Sequence, residues 1–389
     1  MRSLAESKKI VISPVSSQYQ SFPDVVSTRT GTLICVYREA DAHVASTTRL
    51  LLRTSMDFGF TWSEPKELAK ASISTDGYTD NCPRIVQLRD GRVLINCDRL
   101  VYPGRVLIHE NEAGHQTEFW ESADDGRTWS AGREVPGIPG MVPDRILELP
   151  DGTLLMGSHR PSPDPPHQLE QLVSISRDRG ATWPECYVTA SDREYHLCEG
   201  SFVLFEQGLL ACFCRENSMK NHPTFVNFSD DGGRTWTCLE EMPFKGHRPV
   251  AGITRSGRLL ITSRDVELAG GGGGRLLHPG AHAWLGSLEE RDSGQVLVLD
   301  HDDSARPFGD CGYTGWVAST YNIAAAGNYI LEFGVVDWGD QIFDSGLAFD
   351  GITVGGKPIT PPDEVSEPAT ILLLGLGIMG VALRRRRHG

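Results

Sequence analysis

The chain has 389 residues, 37 basic against 51 acidic, for a net charge of −14. That balance disfavours a polyanion-binding surface, and with it nucleic acid as a partner, and suits a soluble protein with neutral partners. Its nine cysteines include no CxxC pair and no zinc spacing; several sit in apolar runs such as Leu33-Ile34-Cys35-Val36 and Leu210-Ala211-Cys212-Phe213-Cys214, where a thiol serves as a small buried hydrophobe.

The first thirty residues carry no signal-peptide pattern, because Lys8-Lys9 is followed only by Ile10-Val11-Ile12 before Ser13-Pro14. From residue 24 an apolar run, a glycine turn and a second apolar run recur five times. The first copy is Asp24-Val25-Val26 to Gly31 and on to Tyr37; the others start at Arg84, Arg145, Ser201 and Val250. The turn glycines, Gly31, Gly91, Gly152, Gly208 and Gly257, are 60, 61, 56 and 49 residues apart. Two short β runs around an Xaa-Gly turn make an antiparallel hairpin. Each of the first four hairpins is followed 21 to 31 residues later by the phrase Ser-x-Asp-x-Gly-x-Thr-Trp, at Ser55–Trp62, Ser122–Trp129, Ser176–Trp183 and Ser229–Trp236. Four recurrences mean one supersecondary unit used repeatedly: hairpin, third strand, polar turn, fourth strand. Four antiparallel strands per unit predict the blades of an all-β propeller.

The repeated phrase resembles the Asp-box of sialidase-like β-propellers. Five blades are legible, and Asp310-Cys311-Gly312-Tyr313-Thr314-Gly315-Trp316-Val317 resembles the first strand of the last blade in six-bladed sialidases. Residues 3–13 would add the outer strand that closes the ring. The expectation is therefore a six-bladed propeller over 3–317 with an interrupted last blade, a short β segment over 318–357, and a linker with a hydrophobic helix and arginine cluster over 358–389. In that last part, Ala369–Leu383 is apolar and Arg384–Arg387 follows. At about 1.5 Å per residue a helix there reaches roughly 22 Å, short of a hydrocarbon core of roughly 30 Å. With Ser366-Glu367-Pro368 before it, the tail resembles a PEP-CTERM sorting tail, Ser366 standing where the first proline is expected. The tail implies envelope or membrane attachment, whereas the N-terminal pattern implies a cytoplasmic chain or a start further upstream.

The start of a hairpin's first strand and the end of its second lie at one sheet edge. At strand starts stand Asp24, Arg84, Asp144 with Arg145, Glu199, His247 with Arg248, and Tyr313. At strand ends stand Arg38, Glu39, Asp41 and His43, then Asp98 and Arg99, His159 and Arg160, Arg215 and Glu216, Arg264 and Asp265. Charge gathered at one rim of every blade, with arginine dominant, points to an anionic or polyhydroxylated ligand. The loops Gly270–Gly274 and Arg160–Pro166 are placed to border it.

The sialidase resemblance implies roles. Tyr313, in Gly312-Tyr313-Thr314, is similar to the family's nucleophile; Glu199 resembles the carboxylate that makes it basic; Asp41 matches the acid/base. Arg215 and Arg248, with Arg264 as rival, match arginines that hold a carboxylate, and Arg38, Arg84 and Arg145 complete the candidate substrate-binding set. The implied activity is retaining hydrolysis of terminal, anionic sugars from a glycan, with no metal and no cofactor. One departure stands against it: the family's first arginine opens blade one in Arg-Ile-Pro, and this chain has Phe22-Pro23-Asp24, whose carboxylate would repel an anion. A carbohydrate-binding propeller without catalysis, and a glycosidase acting on neutral sugars through carboxylates, are the alternatives.

Overall fold

The structure is a computed structural model that describes residues 12–13, 17–108, 113–254 except Met219, 257–265, 280–288 and 295–301, together with short strands between 331 and 383. Its body is five four-stranded antiparallel sheets in chain order. The first blade is β1 (Tyr19–Ser27), β2 (Leu33–Ala40), β3 (Thr47–Ser55) and β4 (Lys66–Ser72); the second is β5 (Tyr78–Gln87), β6 (Val93–Val101), β7 (Gly114–Ser122) and β8 (Arg133–Glu134). The third is β9 (Leu147–Glu148), β10 (Leu154–Pro161), β11 (Leu169–Ser176) and β12 (Glu185–Ala190). The fourth is β13 (Leu197–Leu204), β14 (Leu210–Glu216), β15 (Phe225–Ser229) and β16 (Glu240–Glu241); the fifth is β17 (Gly246–Ile253), β18 (Leu259–Asp265), β19 (Gly280–Gly286) and β20 (Gln295–His301).

The expected count of six blades is thereby corrected to five. The five glycine-turn repeats each yield one sheet, while the sixth blade rested on a resemblance at Asp310–Val317 with no repeat behind it. That segment, Tyr313 included, and the closing strand over residues 3–11 lie outside the described residues. The expected C-terminal apolar helix is also corrected. Within that tail the described residues pair as short strands, Leu373–Leu374 in parallel and Ala382–Leu383 antiparallel to Leu331–Gly334. Among the described residues no helix is long and apolar enough to cross a membrane.

The core lies between blades. Ile34, Val36, Leu50 and Leu52 of blade one meet Ile85, Ile95 and Trp120 of blade two; equivalent layers join blades two to three, three to four and four to five. Three of the four turn tryptophans reach back onto the preceding blade, Trp129 into the first layer, Trp183 into the second and Trp236 into the third, while Trp62 packs against Cys35, Tyr37 and Leu51 of its own blade. Cys35, Cys82, Cys97, Cys198, Cys212 and Cys214 are buried free thiols, and Cys186 and Cys238 are exposed.

The four polar turns share one hydrogen-bond pattern. In the third, Ser176 Oγ donates to Asp178 Oδ1 at 2.9 Å and accepts the Gly180 N–H at 2.9 Å, while Asp178 accepts the Thr182 N–H at 2.8 Å and its hydroxyl at 2.6 Å. Gly180 has φ 86°, which a side chain would resist. Donation from the Thr128 and Thr182 hydroxyls and amides pulls Asp124 and Asp178 from 3.8 down to about 2. A carboxylate depressed in the native state adds stability that is complete above pH about 4 and lost as pH falls towards 2. Ser176→Ala strands the buried Gly180 amide, so urea unfolding should show a loss of about 1–3 kcal/mol; an unchanged midpoint and slope would mean that the turn holds itself by other bonds.

A second device links the inner strands. Two residues beyond a bulge, a short polar side chain accepts an amide of the next blade: Asp24 Oδ2 from Ile85 at 3.0 Å, Asp144 Oδ2 from Phe202 at 3.3 Å and Ser201 Oγ from Ala251 at 3.1 Å. Burial pushes the Asp144 carboxyl up from 3.8 to about 7. The native state then holds a proton that the unfolded chain has released, so this group's contribution falls as pH rises from about 4 to 7. Replacing it with the permanently neutral amide in Asp144→Asn should flatten the wild type's fall in Tm over that range; parallel curves for the two proteins would refute this.

Candidate functional site

The site is built from a bulge repeated in every blade. The inner hairpins slip register between Ser21 and Asp24, Asn81 and Arg84, Cys198 and Ser201, and His247 and Val250. The slipped residues, Phe22, Cys82, Glu199 and Arg248, have φ of 50°, 44°, 46° and 48°, and Val142 of blade three has φ 51°. Four of the five precede proline (Pro23, Pro83, Pro143, Pro249), which has no N–H to give the ladder, so pairing must break there. The fifth precedes Gly200, whose N–H is instead given to Gln171 Oε1 of blade three at 2.8 Å. Non-glycine residues held at positive φ are strained, and such strain gathers at functional sites.

Across each bulge the second strand presents one residue seven positions after the turn glycine. These are Arg38, Asp98, His159, Arg215 and Arg264, between 2% and 6% exposed. Their partners are Ser21, Asn81, Met141, Cys198 and His247. The next residue outward behaves differently, being held within its own blade. Glu39 pairs with Arg49, Arg99 with Asp80 at 2.9 Å and Glu118 at 3.0 Å, and Arg160 with Glu170 at 2.8 Å.

The bulge residues and the second-strand residues meet across blades. Arg38 donates to Asn81 Oδ1 at 2.7 Å and Ser21 Oγ at 3.0 Å, and its guanidinium stands 4.6 Å from the Phe22 ring centroid. From blade five the Arg248 guanidinium stands 5.3 Å from the same ring and its Nη1 is 3.8 Å from Cys82 Sγ. Glu199 Oε2 accepts from Arg215 Nη1 at 2.5 Å, while Arg215 Nη2 donates to Asn217 Oδ1 at 2.7 Å. Asp98 Oδ2 accepts the Val142 N–H at 3.3 Å, and burial raises its carboxyl from 3.8 to about 6. Burial, against the pull of Glu199, lowers the His159 imidazole from 6.5 to about 4, so it is neutral at pH 7. The result is a buried polar surface with arginines from blades one, four and five.

Of the residues expected from sequence, Arg38, Glu199, Arg215, Arg248 and Arg264 come to this rim. Arg84 lies deeper, opposite Asn96, and Arg145 pairs with Asp24 and lines a cavity of roughly 320 Å³ with Val25, Ile85 and Arg89. Asp41 is exposed, and its Oδ1 accepts the amides of Ser46 at 2.9 Å and Thr47 at 3.1 Å, closing the β2–β3 loop. Asp24 is 1% exposed and turned into the link between blades, so the expected repulsion of an anion does not arise from it. Sequence reasoning missed Asn81, Phe22 and Cys82, and had Asp98 and His159 only as strand-end charges; counting seven from each turn glycine finds the latter pair.

Residues 99–267 match the BNR repeat-like domain and residues 364–387 the PEP-CTERM protein-sorting motif. The chain is 27% identical over 154 residues to a sialidase of Clostridium perfringens, covering 38% of each protein, so it spans well under half of that relative. A solved protein of unknown function from Dyadobacter fermentans superposes with TM-score 0.63 at 22% identity, over 76% of this chain and 87% of the other. The NanB sialidase of Streptococcus pneumoniae gives TM-score 0.55 at 14% identity, over 77% and 64%. The chain thus carries a BNR repeat-like β-propeller and a PEP-CTERM motif, with sialidases among its relatives at low identity.

Proposed function

We propose that the protein is a sialidase-like glycoside hydrolase that removes a terminal anionic sugar from a glycan at the rim of blades one to five. The observation that carries this reading is the ring itself, with Arg38, Arg215 and Arg264 at one register and Arg248 on the adjoining bulge. Guanidinium forks hold a carboxylate bidentately, and burial strengthens the pairing. Glu199 is held beside them by Arg215, where it can take a proton.

In this reading Tyr313, outside the described residues, is the nucleophile, with Glu199 its base, giving retention. A phenol with an ordinary pKa near 10 attacks only when a carboxylate takes its proton. Asp41 protonates the leaving oxygen. In this reading the five blades, whose last strand ends at His301, are followed by the β segment expected over 318–357 and the sorting tail over 358–389, which attaches the chain to an envelope or membrane.

The test offers a fluorogenic sialoside, a fluorogenic glucuronide and neutral glycosides to wild type and Tyr313→Phe. Turnover confined to the acidic glycosides and lost in the variant is expected. Equal turnover of the sialoside by both proteins removes Tyr313 from the mechanism, and turnover of neutral glycosides alone favours a carboxylate-based glycosidase. Glycan retention without turnover of anything would make the propeller a binding module.

A further inference from the structure

The rim is chemically two-sided. Its arginines come from blades four, five and one, whereas blades two and three contribute Asn81, Asp98 and His159 and no rim arginine at that register. Among the buried polar atoms of the rim, Arg248 Nη2, Asp98 Oδ1 and His159 Nδ1 have no hydrogen-bond partner among the described residues. Asp98 and His159 are 2% and 5% exposed. Buried polar atoms are ordinarily satisfied, so atoms left open in a strained, charged rim are positions where a ligand makes the missing bonds.

The chemistry of the open atoms differs across the rim. Arg248 Nη2 can only donate, and it suits an anion. Asp98 Oδ1 is an acceptor when ionised, and the neutral His159 ring donates or accepts according to its tautomer; both suit a hydroxyl. We propose that the rim takes an acidic sugar in one orientation, its acid group on the arginines of blades four, five and one and its ring hydroxyls on Asp98 and His159. Asp98 and His159 are then the residues that set specificity for a hydroxylated ring. This rests on the reading of the rim as an anion-binding glycosidase site and adds the orientation of the sugar and the residues that read its hydroxyls. A hydroxyl-free acid would leave both atoms unpaired in a desolvated site, a difference of about tenfold or more in affinity.

Calorimetric titration of the full chain with N-acetylneuraminic acid, glucuronic acid and tetrahydropyran-2-carboxylic acid tests this, since the last keeps the ring oxygen and carboxylate without hydroxyls. Wild type should bind one of the sugar acids at least about tenfold more tightly than the hydroxyl-free acid. Asp98→Asn and His159→Gln should narrow that gap by weakening the sugar acids while leaving the hydroxyl-free acid within about twofold. Circular dichroism checks folding, and His159→Gln decides alone should Asp98→Asn unfold. Equal wild-type affinity for all three acids, or equal weakening of all three in the variants, overturns the orientation. Failure of wild type to bind any of the acids removes the anion site itself, and with it the reading on which this one rests.

Discussion

Replacing Asp24 by alanine should lower the free energy of unfolding by about 3–5 kcal/mol, the cost of leaving a partly buried charge without its partner. The carboxylate lies wholly inside the protein and is shared between three donors. Oδ1 accepts the Val25 N–H at 2.8 Å, Oδ2 the Ile85 N–H at 3.0 Å, and both oxygens face Arg145. Alanine therefore strands the Ile85 amide and the Arg145 guanidinium together, and opens the seam between blades one and two. Removing both charges in Asp24→Leu with Arg145→Met should recover much of the loss, because the pair's desolvation disappears with it. Chemical denaturation measures both. A shift under about 1 kcal/mol for Asp24→Ala would show that the inter-blade layer of Ile34, Leu50, Ile85 and Ile95 holds the seam unaided. Since Asp24 does not reach the rim, ligand affinity of the folded variant should stay near that of wild type.

The blade repeat was written in the glycines and in the polar turns because both do local work. A turn that needs positive φ selects glycine, and a turn closed by serine, aspartate and threonine repeats those residues wherever it recurs. The rim is less visible because its members share a place and not a chemistry. Phe22, Cys82, Val142, Glu199 and Arg248 have nothing in common as side chains, and only the proline or glycine after each betrays the bulge. The strand-end charges were legible as a group but their separation was not. A step of one residue turns a side chain to the other face of a strand, which divides Arg38, Asp98 and Arg215 at the rim from Glu39, Arg99 and Glu216, held within their own blades. The same lack of register misread Asp24, since the bulge places Phe22 at the rim and sends Asp24 into the seam. The sixth blade had neither glycine register nor polar turn behind it.

Glu199→Gln should cut kcat on the best acidic glycoside by roughly 10²–10⁴ with KM changed by no more than a few-fold, since amide and carboxylate share shape but only the carboxylate takes a proton. The position argues for a group held in readiness. Glu199 sits on a strained bulge at φ 46°, its side chain is 11% exposed, and Arg215, itself fixed by Asn217, holds Oε2 at 2.5 Å. The substituted amide would still accept a bond from Arg215, so fold and ground-state binding should survive. Arg215→Ala should instead raise KM and lower kcat together, because it removes a fork from the substrate's acid group and frees Glu199 at once. Undiminished kcat in Glu199→Gln would reassign this carboxylate from proton transfer to holding Arg215 in place.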